Sequence, residues 1–273
     1  MGWAACNAIV GFVVGVFGGL IGLGGAELRL PYLVGVLRLG AHRAVPVNLA
    51  VSLFTILTAI PPRLAVAPGA ALAPFLWETI VIAIGAIVAA YVGASYLGRL
   101  SAGALGRLIF VLLVALGVAL LVEAAVPFAS DGLLPNLLWP RLAAGLLLGV
   151  GIGAISSVLG VAGGEVIIPT LAFGYGVPIV TAGSLSLMIS VPMVVVGILR
   201  HATAGAYAER PLLTGLIVPM GLGSAGGATV GALLVAFAPA ALIKAGLGIL
   251  LILSAWKVFA KGQRREATLA TKP

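Results

Sequence analysis

Long apolar runs, interrupted by short polar or glycine-rich stretches, set the pattern of this 273-residue chain. Ten runs can be delimited, at about 3–23, 27–40, 44–61, 74–97, 104–128, 138–159, 164–176, 181–200, 211–237 and 239–260. They lack the apolar–polar alternation of a barrel strand, so they predict helices. Eight are long enough to cross a hydrocarbon core of about 30 Å. The second and seventh are not, because about 14 residues of helix reach only ~21 Å.

Both short runs follow a glycine turn that carries an acid and ends in proline. The first reads GLGGAELRLP, Gly22 to Pro31, and the second GVAGGEVIIP, Gly160 to Pro169. The likeness extends along the chain at an offset of 138 residues: Gly11, Gly15, Gly22, Gly25, Glu27, Pro31, Ala44, Leu49 and Ser52 match Gly149, Gly153, Gly160, Gly163, Glu165, Pro169, Ala182, Leu187 and Ser190. A period this long points to a duplicated transporter-type bundle rather than a solenoid. The expected organisation is a first membrane repeat over 1–130, a second over 131–260, and a basic tail over 261–273. Five segments per half is an odd number, so the second half enters the bilayer upside down. The expected fold is therefore all-α: a polytopic transmembrane bundle of two inverted five-segment repeats, with two short broken or re-entrant helices.

Composition agrees with a membrane protein. Apolar residues make up 62% of the chain and charged residues 8%, where globular domains have roughly a quarter charged. The net charge of +8 would suggest nucleic acid in a soluble protein; here it reports topology, and no nucleic-acid partner is expected. With a cytoplasmic N-terminus and ten crossings or hairpin arms, Arg38, Arg43, Arg99, Arg107, Arg200, Arg210, Lys257, Lys261, Arg264, Arg265 and Lys272 fall inside. Arg29, Arg63, Arg141 and Lys244 do not. This is a clear positive-inside bias with both termini cytoplasmic in a cell (plasma or inner) membrane. An eight-crossing arrangement, with the short runs re-entrant, weakens that bias. The tail from Lys257 is read as a frayed anchor near anionic lipid. Cys6 is the one cysteine, so no disulfide framework exists within the chain. No cleaved signal is expected, because the N-terminus has no basic region.

The chemistry concentrates at the turns. Freed backbone amides within a bilayer must face protein, a cavity or a ligand. Gly22, Gly24 and Gly25, and Gly160, Gly163 and Gly164, permit the break. The helices that follow would begin with unpaired N–H groups and a positive dipole end, which suits an anion. Gly11/Gly15/Gly19 and Gly223/Gly227/Gly231 are read instead as close-packing surfaces. Glu27 and Glu165 are ionisable groups in membrane helices and hence candidates for proton coupling; first-turn capping is the alternative. Desolvation disfavours a charged carboxylate, and a neutral acid would not compete with an anion for the dipole, so proton binding and anion occupancy are expected to be linked. Arg29 is a candidate anion clamp or a partner for Glu27, although residues two apart share no helix face. Ser156 and Ser157, before the second turn, and the stripes Asn48/Ser52/Thr55 and Ser186/Ser190 with Ser184 could meet substrate or bond between helices. His42 and His201 form no metal-binding cluster and are read as solvated interface residues. No catalytic set, metal site or cofactor motif is present, so an enzyme is not expected.

With these motifs the chain resembles the sulfite exporter TauE/SafE family. The resemblance lies in the duplicated turns and in AVPVNLAVS (Ala44 to Ser52), AGSLSLMIS (Ala182 to Ser190) and RHATAG (Arg200 to Gly205). It departs where the second turn reads Ala162-Gly163-Gly164 and where the loop around Arg63 lacks the histidine of the second half. The resemblance implies secondary transport, usually export, of a small sulfur-containing anion such as sulfite or an organosulfonate. Expected partners are that anion, protons and membrane lipid, with a second copy of the chain also allowed. A passive anion channel and a non-transporting membrane assembly subunit are the rival readings.

Overall fold

The computed structural model describes residues 2–39, 41–66, 69–96, 102–125, 132–159, 161–203, 205–208 and 213–270. Its described residues are helical wherever the sequence places an apolar run. The helices are α1 (Gly2–Ile21), α2 (Ala26–Pro31), α3 (Ala41–Val66), α4 (Gly69–Leu72), α5 (Leu76–Tyr96), α6 (Ala102–Ala125), α7 (Leu138–Leu159), α8 (Gly164–Pro169), α9 (Ile179–Thr203), α10 (Val218–Leu234) and α11 (Ala240–Ala270).

The two short runs fold alike. Gly25 (φ 69°) and Gly163 (φ 80°) start α2 and α8 in the left-handed region, which costs least for a residue without Cβ. Each helix ends on a proline, Pro31 or Pro169. Because proline donates no N–H, the ladder widens into one π-turn, Tyr32–Val36 after α2 and Thr170–Gly174 after α8. The same bond closes both: the Leu39 amide donates to Leu33, and the Val177 amide to Leu171.

Among the described residues, six helices are long and apolar enough to cross a membrane: Gly2–Ile21, Arg43–Val66, Ala73–Tyr91, Leu138–Ser156, Ile179–Thr203 and Thr214–Leu234. The sequence led us to expect eight. The other two, α6 and α11, are 24 and 31 residues long, but among the described residues their apolar stretches are only Leu113–Val122 and Ala240–Leu253. The last helix continues to Ala270, so the basic tail is helical up to that residue rather than frayed.

The chain forms two compact units, each drawing on both halves of the sequence: Met1–Ala94 with Ser130–Ala238, and Ser95–Ala129 with Pro239–Pro273. The second unit pairs α6 with α11 at Gly117 and Gly248, where a Cβ on either would lie within 2.8 Å of the other's carbonyl oxygen. In the first unit, α1 packs along α10. A Cβ on Gly11, Gly15 or Gly19 would run into the backbone of Met220, Ser224 or Ala228, and one on Gly223, Gly227 or Gly231 into Ala8, Phe12 or Val16. These contacts recur with the halves exchanged. Gly149 meets Ile82, Gly153 meets Ala86, and Gly85 meets Leu146, each 138 residues from its counterpart. Small residues replace a hydrophobic driving force here, because lipid competes equally for apolar surface and only close backbone approach favours the helix pair.

The centre of the first unit belongs to α3 and α9. Of their spans, 56% and 67% are buried inside the protein, against 22% for the span in α7. They run antiparallel. Arg63, near the end of α3, bonds Val180 and Ser184 at the start of α9, while Leu49, near the start of α3, lies against Gly197 near the end of α9. Large side chains such as Phe12, Ile84, Leu147 and Leu222 are exposed, as lipid-facing positions should be.

Gly227→Ala should destabilise the protein by about 1–3 kcal/mol, because its Cβ would meet the Phe12 carbonyl. Gly226→Ala, on the same helix with ordinary contacts to Phe12, should stay within about 0.5 kcal/mol of wild type or gain slightly. Thermal unfolding of both variants in detergent checks this difference.

Candidate functional site

The two glycine turns, more than a hundred residues apart in sequence, touch each other. A Cβ on Gly24 would lie 2.9 Å from that of Ala162, and one on Gly164 would lie 2.7 Å from Leu23 Cδ2 and 3.5 Å from Leu23 Cα. Gly22 (φ 94°) presses on the Gly183 backbone at the start of α9. The convergence expected from the sequence is therefore present, but the meeting point is close-packed rather than hollow. Gly160 lies outside the described residues, as does the side chain of Ser157.

The two halves satisfy their broken backbones by different means. In the first, Arg29 is fully buried. Its Nη2 donates to the Gly24 carbonyl and, at 3.2 Å, to Thr55 Oγ1; its Nη1 donates to the Asn48 carbonyl at 3.3 Å and Ser52 Oγ at 3.4 Å. Asn48 Nδ2 donates to the Ala26 carbonyl at 3.2 Å. In the second half Ile167 stands at the counterpart of Arg29, and Ser190 Oγ donates directly to the Ala162 carbonyl at 2.9 Å. Ser156 Oγ donates to the Val161 carbonyl at 2.7 Å. Ser186, at the counterpart of Asn48, is buried beside Gly164, and its hydroxyl has no hydrogen-bond partner.

Glu27 and Glu165 are both buried, at 7% and 3% exposure, in the first turns of α2 and α8. Neither helix has a side-chain cap. Both carboxyl oxygens of Glu27 lack a hydrogen-bond partner, so the Glu27–Arg29 pairing left open by the sequence does not form. A buried carboxylate without donors is costly, whereas a protonated one is far less so.

Two groups escaped the sequence reading. Arg63, counted there as a loop cation, is 1% exposed. It donates to the Gly19 (2.6 Å) and Leu20 (3.0 Å) carbonyls at the end of α1, to Val180 O (2.9 Å), and to Ser184 Oγ (3.2 Å). His201 and Arg200, read as solvated, line a cavity of about 230 Å3 together with Ser156 and Val161 of the second turn. The sequence did hold one signal: Arg63 and His201 occupy matched positions in the two halves.

A further polar cluster lies where α5 meets the start of α7. Arg141 Nε donates to Glu78 Oε1 at 2.9 Å, its Nη1 to Asn136, and its guanidinium stacks over Tyr175 at 5.1 Å. Burial first, and then nearby Glu78, push the Tyr175 phenol up to about 12 against the opposing pull of Arg141, so its hydroxyl remains a donor, here to the Arg141 carbonyl. Because Glu78 already neutralises Arg141, this cluster suits holding helices together better than binding an anion.

Spanning helices, buried polar stripes on the central pair and paired helix breaks define a multi-pass membrane protein of the transporter class. The family model for sulfite exporter TauE/SafE matches residues 6–258, so the chain belongs to the TauE/SafE family. That is a family of membrane transporters, not of enzymes, and membership implies an anionic transported substrate. No match to the chain was found among curated proteins or among solved structures.

Arg29→Ile, which copies the second half, should strand the Gly24 carbonyl and remove the bonds to the Asn48 carbonyl, Ser52 and Thr55, and cost about 3–5 kcal/mol in stability. Ser190→Ala removes one bond to the Ala162 carbonyl and should cost about 1–3 kcal/mol. Unfolding of both variants in detergent checks the order; equal losses would contradict the different bracing of the two turns.

Proposed function

We propose that the protein is a secondary transporter, working as an exporter, of a small sulfur-containing anion such as sulfite or an organosulfonate. Its transport path passes the paired turns, and its transport is coupled to protons. The observation that carries this reading is the contact between two helix breaks from opposite halves of the chain, flanked by the buried polar stripes of α3 and α9. Helix breaks of this kind persist within a bilayer where they serve a ligand or a path.

Gly22, Gly24 and Gly25, with Gly160, Gly163 and Gly164, form the turns in this reading. Asn48, Ser52, Ser186 and Ser190 line the approach to them. Ser156 and Ser157 stand before the second turn, and Arg29 braces the first. The Ser186 hydroxyl, buried and without a partner, is the group best placed to meet a substrate oxygen when the turns part. Close packing at the junction favours a carrier over a standing channel, because passage requires the turns to separate.

The exchange of contacts between halves supports two inverted repeats. So does helix direction. Ten crossings or hairpin arms set α3 and α9 antiparallel, as they are, whereas eight crossings with re-entrant short segments would set them parallel. We also place both termini in the cytoplasm, on the distribution of Lys and Arg.

Glu27 and Glu165 are the proposed proton sites. Both carboxyls are buried, and the Glu27 oxygens have no hydrogen-bond partner, so in this reading proton exchange at either acid depends on the turns opening. The test is flux in liposomes of the purified protein, using sulfite and a short sulfonate, with and without a pH gradient. A pH gradient should drive accumulation, and Glu27→Gln or Glu165→Gln should remove at least part of the pH dependence. Unchanged pH dependence in both variants removes the coupling. Flux without accumulation indicates a passive channel, and absence of flux a non-transporting subunit.

A further inference from the structure

The antiparallel α3–α9 pair is finished differently at its two ends. At one end, the Arg63 guanidinium fills the space beside Gly183, donating to the last carbonyls of α1 and to α9. A cation on the final carbonyls of a helix also suits the helix dipole. Nothing larger than glycine fits at 183, because a Cβ there would crowd the guanidinium.

At the other end, the counterpart of Arg63 is His201 and the counterpart of Gly183 is Val45. Imidazole is shorter than the arginine side chain, and here the space is not filled. A cavity of about 230 Å3 remains, with Val45, Leu49, Ser156, Val194, Arg200 and His201 among its lining residues. The cavity is graded. Val194 and Ser156 are buried, His201 is half-buried and Arg200 is exposed. Its polar donors thus lie towards its mouth and its aliphatic wall lies deeper. Among the described residues, no Asp or Glu lines it. Ser156 spends its hydrogen on Val161, so donors must come from the other two residues. Arg200 Nη1 makes long bonds, both 3.4 Å, to the Ala90 and Tyr91 carbonyls, and its remaining N–H groups suit an oxyanion.

We propose that this cavity is a one-sided vestibule for a small organic anion, its charged head held by Arg200 and His201 and its carbon portion lying on Val45, Leu49 and Val194. This rests on the transporter reading above and adds a binding place outside the paired turns. Arg63 plugs the matching place at the opposite end of α3–α9, so in this conformation an anion has access from one end. An inorganic anion gains nothing from the aliphatic wall. An organic one gains ~4-fold in affinity for each methylene moved from water onto it.

The test is calorimetric binding of methane-, ethane- and propanesulfonate and of sulfite to the purified full-length protein in nanodiscs. Affinity should rise about 4-fold per added methylene. Arg200→Gln and His201→Gln should weaken all four ligands by about 10-fold or more. Ala90→Leu, which fills the cavity without altering charge, should abolish the dependence on chain length. Equal affinity across the sulfonates, or binding unaffected by these substitutions, overturns the vestibule. Should Arg200→Gln fail to fold, the chain-length series and Ala90→Leu decide alone. Liposome flux of the wild type is scored separately. Flux with a flat chain-length series overturns the vestibule alone, and graded binding without flux overturns the transporter reading alone.

Discussion

A helix interrupted inside a bilayer releases backbone groups that lipid cannot satisfy. The arrangement of the two turns in the first unit answers that constraint. Each break is pressed against the other, and buried side chains meet carbonyls of both turns: Arg29 for Gly24, Ser190 for Ala162, Ser156 for Val161. The surrounding helices follow from it. To bring two turns into contact, α1 and α7 must approach their neighbours closely, which the glycine rows on α1, α7 and α10 and Gly85 on α5 permit. To supply partners, α3 and α9 must carry hydroxyls and amides on buried faces, and they do.

The two halves solve the same problem with different chemistry, and function enters through that difference. A guanidinium fills the first half at Arg29 and again at Arg63. The second half has isoleucine and histidine at the matched positions and keeps a cavity. A symmetric pair of repeats would treat the two ends of the central helix pair equally. A transporter that opens to one side at a time cannot, in any single conformation. In the proposed carrier, a filled place at Arg63 and open space at His201 are the asymmetry that alternating access calls for in a single conformation.

Much of this was legible in the chain itself. The duplicated turn placed both breaks, the positive-φ glycines Gly25 and Gly163 that start α2 and α8, and both short helices, because glycine and proline act locally. The Asn48/Ser52/Thr55 and Ser186/Ser190 stripes were visible at helical spacing. The sequence did not show whether the turns would enclose a void, since packing depends on which side chains of distant segments interlock, such as Leu23 against Gly164. Arg63 was misread for a related reason. Positive-inside reasoning counts a cation near a helix end as a loop charge, but the acceptors that draw Arg63 inward are carbonyls of α1 and α9. The π-turns after Pro31 and Pro169 were likewise beyond a reading that treats apolar runs as uniform helix.

The central claim is that the two turns meet in the membrane and must part for an anion to pass. Cross-linking tests it most directly. In a variant with Cys6 replaced by Ser, Leu23→Cys and Gly164→Cys introduce a cysteine pair at the junction, where a Cβ on 164 lies 3.5 Å from the Leu23 Cα, within reach of a disulfide. Mild oxidation in native membranes should form the bond and reduce anion flux about 10-fold or more, with recovery on reduction. Failure to form the bond, or full flux with the bond in place, would contradict the account.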